Sequence, residues 1–352
     1  MHLLILAGDG IGPEITAATV AVLKSADARF GLGLQLEDAP IGYAGLKARN
    51  HTIHPDIVEK ARRADGVVLG PTDTYRFNDP AHGEVNPSMR LRKSLDLFAN
   101  IRPARTYPGF HLRCGEFDLV IARENTEGFY ADRNMAAGSG EVLVTKDVAI
   151  SMRRITRPCS ERIARAAFEL AQRRRKRVTI VHKANVLKVT DGLFIGECQN
   201  VAKEFPEVAV DEVIVDAMMA HVVRNPQRFD VIVTTNMYGD ILSDLTAELS
   251  GSLGMAASLN AGANHAMAQA AHGSAPDIAG QDVANPFSLI LSAAMLLAWH
   301  GRRAKTEKLE TAAAAIDKAV EAAIAAKDMT RDIGGALGTR AAGEAVVRRL
   351  QG

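Results

Sequence analysis

Cysteine is scarce in this chain. Its 352 residues include only Cys114, Cys159 and Cys198, and no two of them form a close C-x-x-C pair. An odd number without that spacing argues against a disulfide framework and against a zinc site. Few unpaired cysteines fit a reducing compartment, so we expect a cytoplasmic protein.

The chain also lacks excess charge of one sign and long apolar runs. Forty-two Lys and Arg residues face 41 Asp and Glu residues, which leaves no bulk charge to recruit nucleic acid or a membrane surface. No stretch approaches the roughly 18 apolar residues of a membrane span. The apolar run at the N-terminus is short and has no cationic region before it, so we expect no signal peptide.

One basic run, residues 173–177, could suggest nucleic acid. It ends a predicted helix, where cations suit the helix dipole, and no aromatic residues lie between its charges. We therefore expect neither a nucleic-acid partner nor a membrane partner.

Short apolar runs recur between helical patterns along the chain. Near-continuous apolarity is typical of strands in a sheet that is covered on both faces. Such runs occur at residues 2–7, 66–70, 117–122, 177–182, 211–216 and 229–235. One helical pattern begins at Pro13, and others cover residues 160–173, 190–204 and 311–327. This alternation predicts an α/β fold.

The first apolar run leads into a glycine-rich turn, Gly8-Asp9-Gly10-Ile11-Gly12-Pro13. A classical Rossmann fingerprint needs a third glycine where Pro13 stands, so that fingerprint is absent. A Walker loop is absent too, because no Gly-Lys-Ser/Thr end follows. A second small-residue loop, at 272–286, could face phosphate or ribose oxygens with its backbone N–H groups.

Seven motifs in order make this sequence resemble the β-decarboxylating dehydrogenases, which act on isocitrate, 3-isopropylmalate, homoisocitrate, D-malate or tartrate. They are GDGIGPE (8–14), LRKSLDLFANIRP (91–103), RENTEG (123–128), HKANVLK (182–188), VDAMMAHVV (215–223), TTNMYGDILSDL (234–245) and HGSAPDIAG (272–280). The resemblance covers nearly the whole chain.

The resemblance implies an isopropylmalate/isocitrate dehydrogenase-like fold with two α/β domains and a central cleft, not a classical Rossmann fold. The large, cofactor-binding domain would be discontinuous, with residues 1–98 and 252–352. The small domain would span 99–251 and carry a dimerisation arm at about 129–147. The composition of 134–151, glycine-rich and then alternating, independently predicts a hairpin or projecting arm.

The implied substrate is a hydroxy di- or tricarboxylate, whose site needs fixed positive charge. Arg92, Arg102 and Arg123 stand where the family has its carboxylate-binding arginines, and a guanidinium can hold a carboxylate bidentately. Asn86 and Ser88 are the implied contacts to the variable substituent.

The resemblance makes Asp216, Asp240 and Asp244 ligands of Mg²⁺ or Mn²⁺. Asp240 and Asp244 are four residues apart, so on a helix they share one face and repel unless a hard cation lies between them. Asp216, taken as the end of the strand at 211–216, would come from the other subunit of a homodimer with shared active sites.

Lys183 and Tyr130 would transfer protons. Lys183, also from the partner, would take the proton of the 2-hydroxyl group as hydride leaves for the nicotinamide. Tyr130 would protonate the enol that remains after CO₂ departs.

The family pairs Asp-Ile at 277–278 with NAD and Lys-Tyr there with NADP. Asp277 and Ile278 therefore predict NAD, since a carboxylate accepts hydrogen bonds from ribose hydroxyls and repels a 2′-phosphate. The other implied cofactor contacts are Ile11, Asn185, His272, Gly273, Ser274, Ala275 and Asn285.

The stretch EVNPSMRLRKS at 84–94 is polar where isopropylmalate enzymes carry an acidic residue and leucines. A polar substituent, as in isocitrate or homoisocitrate, would find donors there, whereas an alkyl group would bury poorly. The segment 73–84 matches no branch of the family. Gln269 stands where many relatives have a glutamate.

Several alternatives remain at this point. The substrate could be 3-isopropylmalate, D-malate or tartrate. A related metal-dependent alcohol dehydrogenase that does not decarboxylate is a third class. A non-catalytic regulatory subunit is disfavoured because every implied catalytic and metal residue is present.

Overall fold

A computed structural model describes residues 1–77, 79–109, 114–130 and 140–352 of the chain. These residues form eleven α-helices and twelve strands. The helices are α1 (Gly12–Phe30), α2 (Gly42–Arg49), α3 (Pro55–Arg63), α4 (Pro87–Ser94), α5 (Arg157–Gln172), α6 (Lys188–Ala202), α7 (Val215–Arg224), α8 (Asn236–Leu249), α9 (Phe287–Ala304), α10 (Glu307–Ala325) and α11 (Thr339–Gln351).

The strands alternate with these helices along the chain. They are β1 (His2–Leu6), β2 (Gln35–Asp38), β3 (Gly66–Leu69), β4 (Ala99–Arg105), β5 (Asp118–Glu124), β6 (Glu141–Thr145), β7 (Val148–Ser151), β8 (Arg177–His182), β9 (Ala209–Ile214), β10 (Val231–Thr234), β11 (Leu259–Ala261) and β12 (Ala266–Gln269).

The chain divides into two compact units. The first contains Met1–Leu95, a short stretch that begins at Tyr107, and Gly251–Gly352. The second contains Asp96–Thr106 and the stretch that ends at Ser250. The assignment of cofactor-binding and dimerisation roles to two domains stays a prediction.

In the first unit the strands follow the order β2-β1-β3-β12-β11. All pairs are parallel except β11 with β12. Leu3 and Ile5 of β1 join Phe287 of α9 in the core. Proline in the first turn of α1 fits its helical start, since the missing N–H would have no partner there.

In the second unit the order is β4-β5-β10-β8-β9. Only β4 with β5 is antiparallel. Its core includes Phe168 of α5, Phe194 of α6 and Val178 of β8. In the basic run after α5, Arg174 donates to Asp118 and Asp230, so part of this charge is paired within the unit.

Four strands were not predicted. The polar sequence of β2 and the proline and arginines of β4 hide their strand character, while β11 and β12 are short and contain small residues. The placement of Asp216 at a strand end was wrong, because β9 ends at Ile214 and Asp216 lies in the first turn of α7. An aspartate suits that turn, since its charge complements the helix dipole.

The predicted arm falls partly outside the described residues, at 131–139. Its described part contains the antiparallel hairpin β6–β7, whose strand residues are all exposed. Its role in dimerisation stays a prediction. Among the described helices, none is long and apolar enough to cross a membrane.

Candidate functional site

The opening glycine turn lies directly against the loop at 272–280 in the first unit. The N–H of Ile11 donates to the carbonyl oxygen of Ser274 at 2.9 Å. Gly10 has a φ of +59°, and a Cβ added there would lie 1.9 Å from that same oxygen. Only glycine allows this approach, because any side chain would clash with the loop backbone.

A cavity of about 280 Å³ opens between the turn and the loop. Its lining includes six of the predicted cofactor contacts, namely Ile11, His272, Gly273, Ala275, Ile278 and Asn285. The Nδ1 atom of His272 lies 3.0 Å from the carbonyl oxygen of Gly273. The buried Nε2 atom has no hydrogen-bond partner among the described residues. Burial lowers the pKa of His272, which favours the neutral imidazole at neutral pH.

The predicted cofactor contacts differ in their surroundings. Asp277 is exposed. Asn285 is buried and donates to Asp332 at 3.0 Å. Asn185 is exposed in the loop after β8, in the second unit.

Helix α4 positions Arg92, Ser88 and Asn86. The side-chain oxygen of Gln269 accepts hydrogen bonds from Ser88 Oγ and Arg92 Nη2, each at 2.9 Å. Arg92 and Ser88 are one helical turn apart, so both meet Gln269 on the same face of α4. Asn86 is the N-cap residue, and its oxygen accepts from the N–H of Met89 at 3.0 Å. These predicted substrate contacts therefore also have partners within the chain.

In the second unit, two buried arginines meet the aspartates of α8. Arg123 donates to Asp240 and, from Nε at 2.9 Å, to Asn236. Arg102 Nη1 lies 3.1 Å from Asp240 Oδ1 and 3.3 Å from Asp244 Oδ1. The hydroxyl of Tyr130 donates to the second oxygen of Asp240. Three predicted site residues thus contact Asp240.

Burial shapes the charges of this group. It lowers the pKa of Arg102 to about 10, with the nearby Arg123 guanidinium as the second cause, so Arg102 is still a cation at neutral pH. Burial raises the pKa of Asp244, although Arg102 opposes that shift. Gly239 allows the close contact between α8 and β5, since a Cβ there would lie 2.7 Å from the side chain of Arg123.

Lys183 and Asp216 form a second pair in this unit. Lys183 Nζ lies 2.5 Å from Asp216 Oδ1, and this contact lowers the pKa of Asp216. The backbone N–H of Lys183 donates to the buried carboxylate of Asp191, which is paired with Arg153. The lysine therefore starts from a fixed backbone position.

Within the described part of a single chain, no group of three or more His, Cys, Asp and Glu side chains is arranged to hold a metal ion. Asp240 and Asp244 share a face of α8 and offer hard oxygen donors of the kind that Mg²⁺ and Mn²⁺ take. Two carboxylates do not complete an octahedral shell, so a metal ion at this position would need further ligands.

Three positioning residues were missed from sequence. Asn236 holds Arg123, Gln269 joins Arg92 to Ser88, and Asp191 holds Lys183. Asn236 lies inside a recognised motif, which was a usable signal. Asp191 lies in a helix without a distinguishing pattern, and only the fold shows its contact.

Comparison with known proteins gives similarities over the whole chain. A sequence model described as isocitrate/isopropylmalate dehydrogenase matches residues 2–346. An isocitrate/homoisocitrate dehydrogenase of Thermus thermophilus is 42% identical over 351 residues, which cover 99% of this chain and 98% of that protein. A 3-isopropylmalate dehydrogenase of Archaeoglobus fulgidus is 41% identical over 340 residues, covering 96% and 95%.

A solved structure is similar as well. The crystal structure of isocitrate dehydrogenase from Methylococcus capsulatus matches with a TM-score of 0.89 at 38% identity, covering 100% of this chain and 99% of that one. The predicted isopropylmalate/isocitrate dehydrogenase-like α/β fold is confirmed by this likeness.

Proposed function

This chain belongs to the isocitrate/isopropylmalate dehydrogenase family, and on that basis we propose that it oxidatively decarboxylates a 3-substituted (2R)-malate with NAD and a divalent metal ion. The prediction of a dehydrogenase enzyme of this family is confirmed. The observation that carries the finer proposal is the group of arginines and tyrosine around the two aspartates of α8.

Substrate carboxylates would bind to Arg102 and Arg123, with Arg92 proposed for the same role. Arg102 and Arg123 are buried and held by Asn100 and Asn236, so their guanidinium groups have fixed directions. A fixed guanidinium loses little side-chain entropy when it binds a carboxylate. The charge of these arginines would also select acids over neutral alcohols.

Proton transfers would be carried out by Lys183 and Tyr130. Lys183 Nζ would accept the proton of the 2-hydroxyl group as hydride passes to the nicotinamide, which leaves a β-keto acid. After loss of CO₂, the Tyr130 hydroxyl would donate a proton to the enol carbon. Lys183 would come from a second copy of the chain, in a homodimer.

The metal would be Mg²⁺ or Mn²⁺, held by Asp240, Asp244 and Asp216 of a second copy. When bound, it would stabilise negative charge that develops on substrate oxygens. The donor chemistry of α8 fits such an ion, because both side chains are carboxylates on one helix face.

For NAD, the cavity beside His272 fits the adenosine end. Its walls include apolar Ile11 and Ile278, and beside it lies the buried Nε2 of His272, which has no partner in the part of the chain that the structure describes. The exposed carboxylate of Asp277 would accept hydrogen bonds from ribose hydroxyls.

The substituent would be polar, as in isocitrate or homoisocitrate. Asn86 and Ser88 bring amide and hydroxyl groups to the start of α4, and these groups would form hydrogen bonds with a polar substituent but none with an alkyl group. The 3-isopropylmalate, D-malate and tartrate activities are the alternatives.

One assay tests this proposal. The protein is offered NAD and Mg²⁺ or Mn²⁺ with D-isocitrate, homoisocitrate, 3-isopropylmalate, D-malate or tartrate, and NADH and CO₂ are both measured. We expect equal amounts of NADH and CO₂ with isocitrate or homoisocitrate, and loss of turnover after chelation of the metal. Preference for 3-isopropylmalate would overturn the polar substituent, and NADH without CO₂ would overturn decarboxylation.

A further inference from the structure

A second cavity, of about 740 Å³, lies in the first unit beside α4. Its walls come from the end of α2, the start of α3, helix α4 and the segment 80–83, which is part of the stretch that matches no family branch. We call it the His51–Arg90 cavity. Its polar lining consists of Asn50, His51, His82 and Arg90, and its apolar lining includes Leu46, Ile53, Pro80 and Val85.

This cavity and the substrate residues use different faces of α4. Arg90 and Arg92 are two positions apart, which places their side chains roughly 200° apart around a helix of 3.6 residues per turn. Arg92 meets Gln269, whereas Arg90 lines the cavity. The cavity is therefore not the place where Arg92 would hold a substrate.

The polar groups of the cavity have free binding capacity. Arg90 is exposed, and its side chain makes no hydrogen bond or ion pair with any residue in the described ranges. The Nδ1 atoms of both histidines are engaged, that of His51 with the carbonyl oxygen of Arg49 at 2.9 Å and that of His82 with Asp79 at 2.6 Å. Among the described residues the Nε2 atom of each imidazole is left for a ligand, to which it donates a hydrogen bond as an imidazolium and from which it accepts one as a neutral ring.

The walls are tied together by a buried threonine. Thr52 Oγ1 accepts a hydrogen bond from the N–H of Val85 at 2.9 Å and donates one to the carbonyl oxygen of Val85 at 2.6 Å. Gly83, with a φ of +79°, passes so close to Asn50 that an added Cβ would lie 2.2 Å from the Asn50 oxygen. The cavity is therefore a largely pre-formed site, with few convergent polar groups on an apolar lining.

From these features we propose that the His51–Arg90 cavity binds a small organic anion, a carboxylate or a phosphate monoester with an apolar body. Arg90 supplies the positive charge, the imidazoles supply polar contacts, and the apolar residues cover the body of the ligand. Val85 and Arg90 flank Asn86 and Ser88, so a bound anion also affects the conformation of the start of α4. We therefore expect it to change the KM for the substrate.

Calorimetric titration of the full-length protein tests the site with four probes. Phenyl phosphate and phenylacetate carry both the charge and an apolar body, inorganic phosphate lacks the body, and benzyl alcohol lacks the charge. We expect at least one of the first two to bind in the millimolar range or tighter, and the last two at least tenfold more weakly. Whichever of phenyl phosphate and phenylacetate binds more tightly identifies the class of anion.

Two variants locate the binding. Arg90→Gln removes the charge and Ala81→Trp fills the cavity from its exposed rim; each should weaken the best probe at least tenfold. Arg348→Gln, at an exposed arginine of α11, is the matched control and should bind as the wild type does. No binding of either aromatic anion, or binding that survives both variants, would overturn the proposal whatever the activity of the enzyme.

Discussion

At the scale of single residues, the structure contains side chains and glycines whose surroundings tolerate little change. Gly10 is the sharpest case, because its φ and its contact with the Ser274 oxygen both require the absence of a Cβ. Glu124 is another, since it is buried and accepts hydrogen bonds from the N–H groups of Thr126 and Glu127.

Gly10→Ala should separate the opening turn from the loop at 272–280. We expect it to lower the free energy of unfolding by roughly 1–3 kcal/mol and to weaken NAD binding more than tenfold. Gly196→Ala is the control, since a Cβ there meets nothing within 4 Å inside α6, and it should stabilise by about 0.5–1 kcal/mol. Urea unfolding measures the stability of each variant, and NAD titration measures its affinity for the cofactor. Unchanged NAD affinity in Gly10→Ala would contradict the role of this turn.

Glu124→Gln should change how stability depends on pH. Burial raises the pKa of Glu124 above its ordinary value of 4.5. The native state then binds more protons than the unfolded state above pH 4.5, so this contribution to stability falls as pH rises through the native pKa. The variant should show a shallower fall in the free energy of unfolding between pH 4.5 and 7.

Glu204→Gln gives the control of opposite sign for that experiment. A hydrogen bond from Arg165 lowers the pKa of Glu204, so its contribution is present above pH 4.5 and is lost as pH falls. Removing this exposed carboxylate should affect only the acid side of the profile. A fall between pH 4.5 and 7 as steep in Glu124→Gln as in the wild type would refute the assignment to Glu124.

At the scale of elements, α4 and α8 carry most of the proposed chemistry. Helix α4 begins at an asparagine cap, and α8 presents two aspartates to two arginines. Each helix combines a structural contact with a proposed function, and substitutions can separate the two.

Asn86→Ala should destabilise α4, whereas Asn86→Asp should not, because aspartate also caps a helix. We expect a loss of about 1 kcal/mol for alanine, measured by urea unfolding. Both variants should alter the KM for the substrate if Asn86 also contacts the substituent. If alanine costs stability but neither variant changes KM, Asn86 is only a cap.

Asp244→Asn should weaken the binding of the metal ion without unfolding the protein. The Asp244 side chain is 51% exposed, and the variant keeps an oxygen for Arg102. We expect the apparent affinity for Mn²⁺ to fall at least tenfold. Glu248→Gln, one turn later on α8 and also exposed, is the control and should leave Mn²⁺ affinity unchanged. Equal affinity in both variants would remove Asp244 from the metal site.

At the scale of the whole molecule, the proposed site draws on two copies of the chain. In one chain the Lys183–Asp216 pair and the group around Asp240 are separate sets of contacts. The hairpin β6–β7 exposes apolar residues such as Leu143, which is 72% exposed. Both features agree with a dimer in which Lys183 and Asp216 serve the partner.

Mixing two inactive variants tests this arrangement. Lys183→Met and Tyr130→Phe, co-expressed in equal amounts, should recover about a quarter of wild-type turnover, because half of the dimers are mixed and each mixed dimer has one intact site of two. Each variant alone is the control. If the mixture is as inactive as its components, both residues act within one chain.

The sequence by itself determined the class of fold and the family, and through the resemblance it predicted the residues of the site. Alternating apolar runs and helical patterns are local, so they predicted β1, β3, β5, β8, β9 and β10 with bounds within a few residues. The four-residue spacing of Asp240 and Asp244 is likewise local, and both lie on one helix as predicted.

Only the tertiary structure decided which residues hold these groups in place. Gln269 meets Ser88 and Arg92 from 181 and 177 residues away, and no spacing rule reaches that far. The same limit explains the unrecognised cavity beside Arg90. Periodicity reports the neighbours along a helix or strand, whereas positioning contacts and cavities arise where distant segments pack together.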